Sequence, residues 1–351
     1  METAIDQILS ENRMKISQLA EQDDPTWETL AQPMQALDDK LSNAWSVISH
    51  LNGVMNNDEL RKVYKNCLEK LTEYSTEVSQ NAALCDAYKK LAERDDFKNL
   101  SEAQRKSVEN TLRDFHLGGV DLPEDKKKQY AELSRELSEL SNKFSDNVLD
   151  ATQHWFKHIT DVDELAGVPE TAIESAKQAA RQKELEGYVI TLDFPSFFPV
   201  MTYCDNRDLR REVYEAFVTR ASDQGPDAGQ WDNTPVMAEI LKRRHAQAKL
   251  LGFDNYAERS LATKMARSSD EVLDFLNQLA AKSKPQAEKE FAELRAFAKD
   301  EYGAEELQAW DIGYYSEKLR QKRYDISPET LRPWFPVNKV VPGLFRVAEK
   351  L

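Results

Sequence analysis

The stretch NDELRKVYKNCLEKLTEYSTEV, Asn57 to Val78, decides the architecture. Its apolar and aromatic residues Leu60, Tyr64, Cys67, Leu71, Tyr74 and Val78 advance by four and three residues in turn, so they share one face of an α-helix. The same rhythm spreads in both directions. Ile5, Ile8, Leu9, Ile16 and Leu19 begin a helical face almost at residue 1. Ser101 and Gln104 of SEAQ form a capping box whose helix stops at Gly118-Gly119. The next helix opens near Pro123, carries Tyr130, Leu133, Leu137, Leu140, Phe144 and Val148, and is predicted to run on to Ile159. Ser268 of SSDE reads as another capping box, opening a segment to about Gly303 with a kink or break at Pro285. Asp24-Pro25, Thr234-Pro235 and Ser327-Pro328 each read as an N-cap followed by Pro at the first helical position. At the far end NKVVPGLFRVAEKL keeps the rhythm through Val340, Leu344 and Val347 or Ala348.

Two regions depart from it. GYVITLDFPSFFPVMTY, Gly187 to Tyr203, is rich in β-branched and aromatic residues. Tyr188 to Leu192 reads as a strand, and the two prolines after it as an irregular or edge segment. SDQGPDAGQWDNTP, Ser222 to Pro235, clusters Gly, Pro, Asp and Asn and reads as a loop. The fold class is therefore mainly α: a large helical lobe with a small β element near residues 187–203.

Composition narrows the partners. Among 351 residues, 47 Lys and Arg stand against 62 Asp and Glu, a net charge of −15. Such a surface repels phosphate backbones and anionic lipid, so neither nucleic acid nor membrane is expected as the main partner. Cationic ligands, peptides included, are favoured. Cys67, Cys85 and Cys204 are odd in number and widely spaced, which fits a reducing compartment. The start, METAIDQILSENRMKIS, lacks the basic and apolar regions of a signal peptide. No apolar run approaches the roughly 20 residues that span a bilayer.

Chemistry-bearing motifs are few. HWFKH puts His154 and His158 four apart, a helical spacing that can hold zinc. Trp155 stands where a metallopeptidase motif needs its glutamate, and His50, His116 and His245 are distant in sequence. The two histidines are therefore expected at the edge of a helix rather than on a metal. No G-x-S-x-G or Gly-rich phosphate loop occurs, and no cysteine lies near a histidine in sequence. In WDIGYYSEKLRQKRYDISPETLRPWFP, Trp310 to Pro336, aromatic residues interleave with Lys318, Arg320, Lys322, Arg323 and Arg332. That pattern suits a groove for peptide or single-stranded nucleic acid. It suits equally a helix whose Tyr314 and Leu319 face a core while the basic side chains snorkel.

Three long segments carry a family resemblance: ELEGYVITLDFPSFFPVMTYCDNRDLRREVYEAFVTRASDQGPDAGQWDN, HAQAKLLGFDNYAERSLATKMA, and the Trp310–Pro336 stretch. In that order they resemble the thimet oligopeptidase family of zinc metallopeptidases, and the likeness runs from about Trp27 to the end. The resemblance implies a mostly helical peptidase with a deep channel between two lobes, open to short peptides and closed to folded proteins. It implies zinc held by two histidines of an H-E-x-x-H helix and a downstream glutamate, with the motif's glutamate as general base. No H-E-x-x-H occurs in these 351 residues. The catalytic and metal residues are therefore expected beyond Leu351, none are assigned here, and this chain alone is expected to bind no zinc and to be inactive.

The expectation that follows is the N-terminal half of a cytoplasmic zinc oligopeptidase, an incomplete zincin-type enzyme whose partners are short peptides and its own C-terminal half. By resemblance, residues 1–150 form a helical lobe and 151–245 pack with the catalytic lobe. Residues 246–351 then return to the helical lobe and the channel wall, where Tyr314 and Tyr315 are the candidates for touching substrate. The alternative is a non-catalytic all-α binding or scaffold protein derived from that lobe.

Overall fold

The computed structural model describes residues 1–325 and 331–351. The chain divides into two compact units. One comprises Met1–Asp146 and Pro235–Ser269, the other Asn147–Thr234 and Asp270–Leu351.

In the first unit α1 (Glu2–Ala20), α2 (Gln32–Val54), α3 (Asp58–Ser79), α4 (Ala82–Glu93) and α5 (Glu102–Leu117) build one core. Helix α1 buries Ile5, Leu9, Ile16 and Leu19, the predicted face. From the Asn57–Val78 stretch, Cys67 and Tyr74 are fully inside, and Tyr64, Leu71 and Val78 pack against the same core. Ser101 accepts the Gln104 backbone N–H while the Gln104 side chain accepts from Ser101, the reciprocal box read from sequence. Helix α5 ends at Gly118, and Gly119 takes φ +86°, which a side chain would resist. Helix α2 is entered through a wide-turn segment, Trp27–Ala31, capped by Thr26. Asp24-Pro25 is thus not the cap: the Thr26 and Thr29 side chains close the box two residues later.

Helix α6 (Glu124–His154) ends sooner than predicted. The residues that follow it form strand β1 (Phe156–Ile159), which pairs antiparallel with β2 (Tyr188–Thr191), Phe156 opposite Thr191 and Ile159 opposite Tyr188. The run to Ile159 is therefore corrected, because backbone bonds to a distant strand outcompete another helical turn. Gly187, at φ +94°, makes the turn into β2; a Cβ there would lie 2.4 Å from the Ile159 carbonyl oxygen. Helix α7 (Glu170–Gln182) packs on β2.

The segment after β2 is also corrected. It is not irregular but helix α8 (Phe194–Tyr203), with Pro195 in the first turn, where its missing N–H costs nothing. Ser196 Oγ accepts the Thr191 N–H at 2.9 Å, tying helix to strand. Helix α9 (Arg207–Val218) follows, and residues 222–231 form turns and bends, while the last two residues of the stretch read as a loop, Thr234 and Pro235, already belong to the next helix. Helix α10 spans Thr234–Leu250, so Thr234 lies inside the helix rather than capping it. Helix α11 spans Tyr256–Leu261 and α12 Ser269–Tyr302, the latter continuous through Pro285. Helix α13 (Ala309–Tyr324) packs on α8 and α9, and α14 covers Val337–Lys350. The Ser327-Pro328 reading lies outside the described residues.

Candidate functional site

His154 and His158 do not share a helix. His154 ends α6, with its ring 5.0 Å from that of Trp231 and its Nε2 3.9 Å from Asp227. His158 lies on β1, where Nε2 donates to the Glu186 carbonyl at 2.6 Å. Among the described residues no group of three or more His, Cys, Asp or Glu side chains is placed to hold a metal ion. Zinc takes at least three protein ligands, and His154 and His158, on a helix end and a strand, are not joined into such a set among the described residues.

In the second unit a cluster of charged and aromatic side chains surrounds the start of α13. Asn206 prepares it by capping α9, its side-chain oxygen accepting the N–H groups of Asp208 and Leu209. That cap starts a helix that carries Arg207 and Arg210 one turn apart, and both reach Asp311. Arg210 donates at 2.9 Å and Arg207 at 2.7 Å. The Asp311 and Arg210 side chains are 0% and 1% exposed, whereas Arg207 is 53% exposed. Arg210 also donates to the carbonyls of Cys204, Asp205 and Trp310, so its buried fork is satisfied on every side. Asp311 completes its own set by accepting the Gln308 N–H at 3.0 Å, closing the capping box of α13.

Tyr314 and Tyr315, the substrate candidates, sit one turn on. They are 6% and 7% exposed. The Tyr314 hydroxyl donates to Asp205 at 2.7 Å, Lys318 donates to the same oxygen at 3.2 Å, and the Arg210 guanidinium lies 4.0 Å from the Tyr314 ring centre. Tyr315 meets Tyr314 and Tyr302 edge to face.

The electrostatics follow from burial. Burial penalises the Asp311 carboxylate, but hydrogen bonds from Arg207, the Gln308 N–H and Arg210 outweigh it and hold its pKa below the ordinary value. Burial, reinforced by Asp205, raises the Tyr314 phenol well above its usual range. Burial likewise raises the thiol of Cys204, which donates to the Glu164 carbonyl. These shifts activate neither the Tyr314 phenol nor the Cys204 thiol as a nucleophile. The chemistry of the cluster is positional: it fixes the start of α13 against α8 and α9. Sequence reasoning missed Asp205, Arg207, Arg210 and Asp311. Only the Arg207/Arg210 spacing was a local signal, and it reads as an ordinary solvated face.

The basic residues of the segment are each engaged. Lys318 pairs with Asp205, Arg320 with Glu317, Lys322 with Glu301 and Arg323 with Glu293. Arg332 also has a partner.

Comparison with known proteins adds the wider context. The family model "Peptidase family M3" matches residues 200–351, and "Neurolysin/Thimet oligopeptidase, N-terminal domain" matches residues 5–127. The chain is 54% identical to Oligopeptidase A of Escherichia coli strain K12 over 349 residues, covering 99% of this chain and 51% of that protein. It is 57% identical to Oligopeptidase A of Salmonella typhimurium over 326 residues, covering 93% of this chain and 48% of the relative. With Oligopeptidase A of Haemophilus influenzae it shares 50% identity over 348 residues, 99% of this chain and 51% of the relative. The chain spans about half the length of these curated relatives.

Proposed function

The chain belongs to the thimet oligopeptidase family, peptidase family M3, and from that premise we propose that it is the N-terminal half of a cytoplasmic zinc-dependent oligopeptidase. The whole protein would hydrolyse internal bonds of short peptides, such as cleaved signal peptides and protein breakdown products. The zinc ligands and the general base would come from the other half, because these 351 residues contain no H-E-x-x-H. This half would supply channel wall, with Tyr314 and Tyr315 near the bound peptide.

The observation that carries the reading is identity of 50–54% across 99% of the chain with two oligopeptidases. Two apolar helix faces support it. On α12, Leu273, Phe275, Leu276 and Leu279 are at least half exposed. On α14 no residue is buried, and Val340, Leu344, Phe345 and Val347 are 45–64% exposed. Faces of this size call for a protein partner.

The test is complementation. The chain is co-expressed with the C-terminal half of the Escherichia coli relative, and hydrolysis of a quenched short peptide is followed with and without phenanthroline. Neither half alone should turn over, and the co-purified pair should cleave in a chelator-sensitive way. A co-purified pair that binds peptide without cleaving it would favour the non-catalytic lobe. For the tyrosines, alanine at each equivalent position of the full-length relative should raise KM. Unchanged KM and turnover would leave both purely structural.

A further inference from the structure

The first unit contains an open-mouthed cavity of about 500 Å³, within the range of small-molecule sites. Helices α2, α3, α4 and α5 all contribute to its wall. Interiors are normally filled to the density of organic crystals, so an opening of this volume beside a well-packed core is a feature of the lobe. Buried Tyr88 and Phe115 line it, and half-buried Trp45, braced by a stacked Tyr64 at 4.8 Å, forms one side.

The charge of the lining has one sign. No Lys, Arg or His contributes, and the carboxylates are Asp38 and Asp114. Asp114 is engaged by Arg113 at 2.8 Å. Asp38 has no hydrogen-bond or ion-pair partner among the described residues. Water reaches Asp38, yet the surrounding walls desolvate it and, with neighbouring Asp39, raise its pKa. An anion would be repelled, and a neutral apolar ligand would cover Asp38 without compensating it. A divalent metal needs several oxygen ligands, and one free carboxylate does not supply them.

We propose that this cavity binds a small organic monocation with an aromatic or branched aliphatic body, its ammonium group facing Asp38 and its body against Trp45 and Tyr88. One free carboxylate sets the charge at one. The aromatic faces accept the apolar body and attract the cation's positive edge. The site is independent of the peptidase reading, since it uses only side chains of the first unit.

The experiment titrates the full chain with phenethylammonium chloride, followed by tryptophan fluorescence and calorimetry, beside phenethyl alcohol and phenylacetate. The expected result is saturable binding of the ammonium compound at one site per chain. The alcohol should bind about tenfold more weakly, the loss of one charge contact in a half-wet site, and the anion not measurably. Asp38→Asn should weaken ammonium binding about tenfold and leave the melt unchanged, because the side chain is exposed. Ser42→Trp, also an exposed position, should block the mouth and abolish binding with the fold intact. Absence of saturation, equal affinity for ammonium and alcohol, or wild-type affinity in Asp38→Asn would each overturn the proposal.

Discussion

Replacing Asp311 by Asn tests what holds α13 in place. The change preserves side-chain volume, removes the charge, and turns an amide NH₂ toward guanidinium donors. Both Asp311 and Arg210 are essentially inaccessible to water, so Arg210 would be left as an uncompensated buried cation. Breaking a buried pair from one side costs about 3–5 kcal/mol. Arg210 keeps three carbonyl acceptors, which places the expected cost near the lower end, about 3 kcal/mol. Against total stabilities of about 5–15 kcal/mol, that would open the second unit measurably. Hydrogen exchange on the intact chain near neutral pH reads it directly. Amides of α13 should exchange roughly two orders of magnitude faster, since about 1.4 kcal/mol is tenfold, while α1 to α5 keep their protection. The pH dependence supplies the sign. The folded-state pKa of Asp311 lies below its unfolded value, so its stabilisation is present above the unfolded value of about 4 and is lost as pH falls through the folded one. Wild type and variant should therefore converge in acid. A change of less than tenfold, or one spread evenly over both units, would refute the role given to the pair.

Gly187→Ala should destabilise the turn that leads into β2 by about 1–3 kcal/mol, because φ is +94° and the new Cβ meets backbone at 2.4 Å; an unchanged denaturation midpoint would count against the strained turn. The purified chain, dialysed against trace zinc, should hold far less than one zinc per chain by atomic emission, and stoichiometric zinc lost on changing His154 and His158 to Ala would revive the HWFKH motif. The apolar faces of α12 and α14 should bind a hydrophobic dye and promote self-association, each large side chain forfeiting up to roughly 1.5–3 kcal/mol when uncovered. A monodisperse monomer without dye binding would sink that expectation.

The helices were legible because their signal is local. In α1 the buried residues recur within one turn, in α3 buried Cys67 and Tyr74 lie two turns apart on one face, and in α5 the Ser101–Gln104 box and Gly118 stand in plain text. The end of α6 was not. From Glu124 to Ala166 no Gly or Pro occurs, and the partner that stops the helix is a strand over thirty residues away, Phe156 opposite Thr191. Helix α8 was misread for the opposite reason: its prolines are strong local breakers, yet Pro195 occupies a first turn that tolerates it. The polar cluster around Asp311 joins residues about a hundred positions apart, a distance at which no periodicity or motif spacing operates.

The aromatic and basic segment shows why charge type alone decides little about a site. Lys318, Arg320, Lys322 and Arg323 resemble a groove when read in line, yet each finds an acid within its own unit. In a chain with 62 acidic residues to 47 basic ones, cations are the scarcer group and are readily paired. The surplus lies with the acids, most of which stand in water, where a missing partner costs little. Asp38 differs because it lines a cavity with aromatic walls and no basic side chain. The same imbalance that makes a row of lysines and arginines a poor guide to a binding groove makes an unpartnered carboxylate inside a concavity a good one.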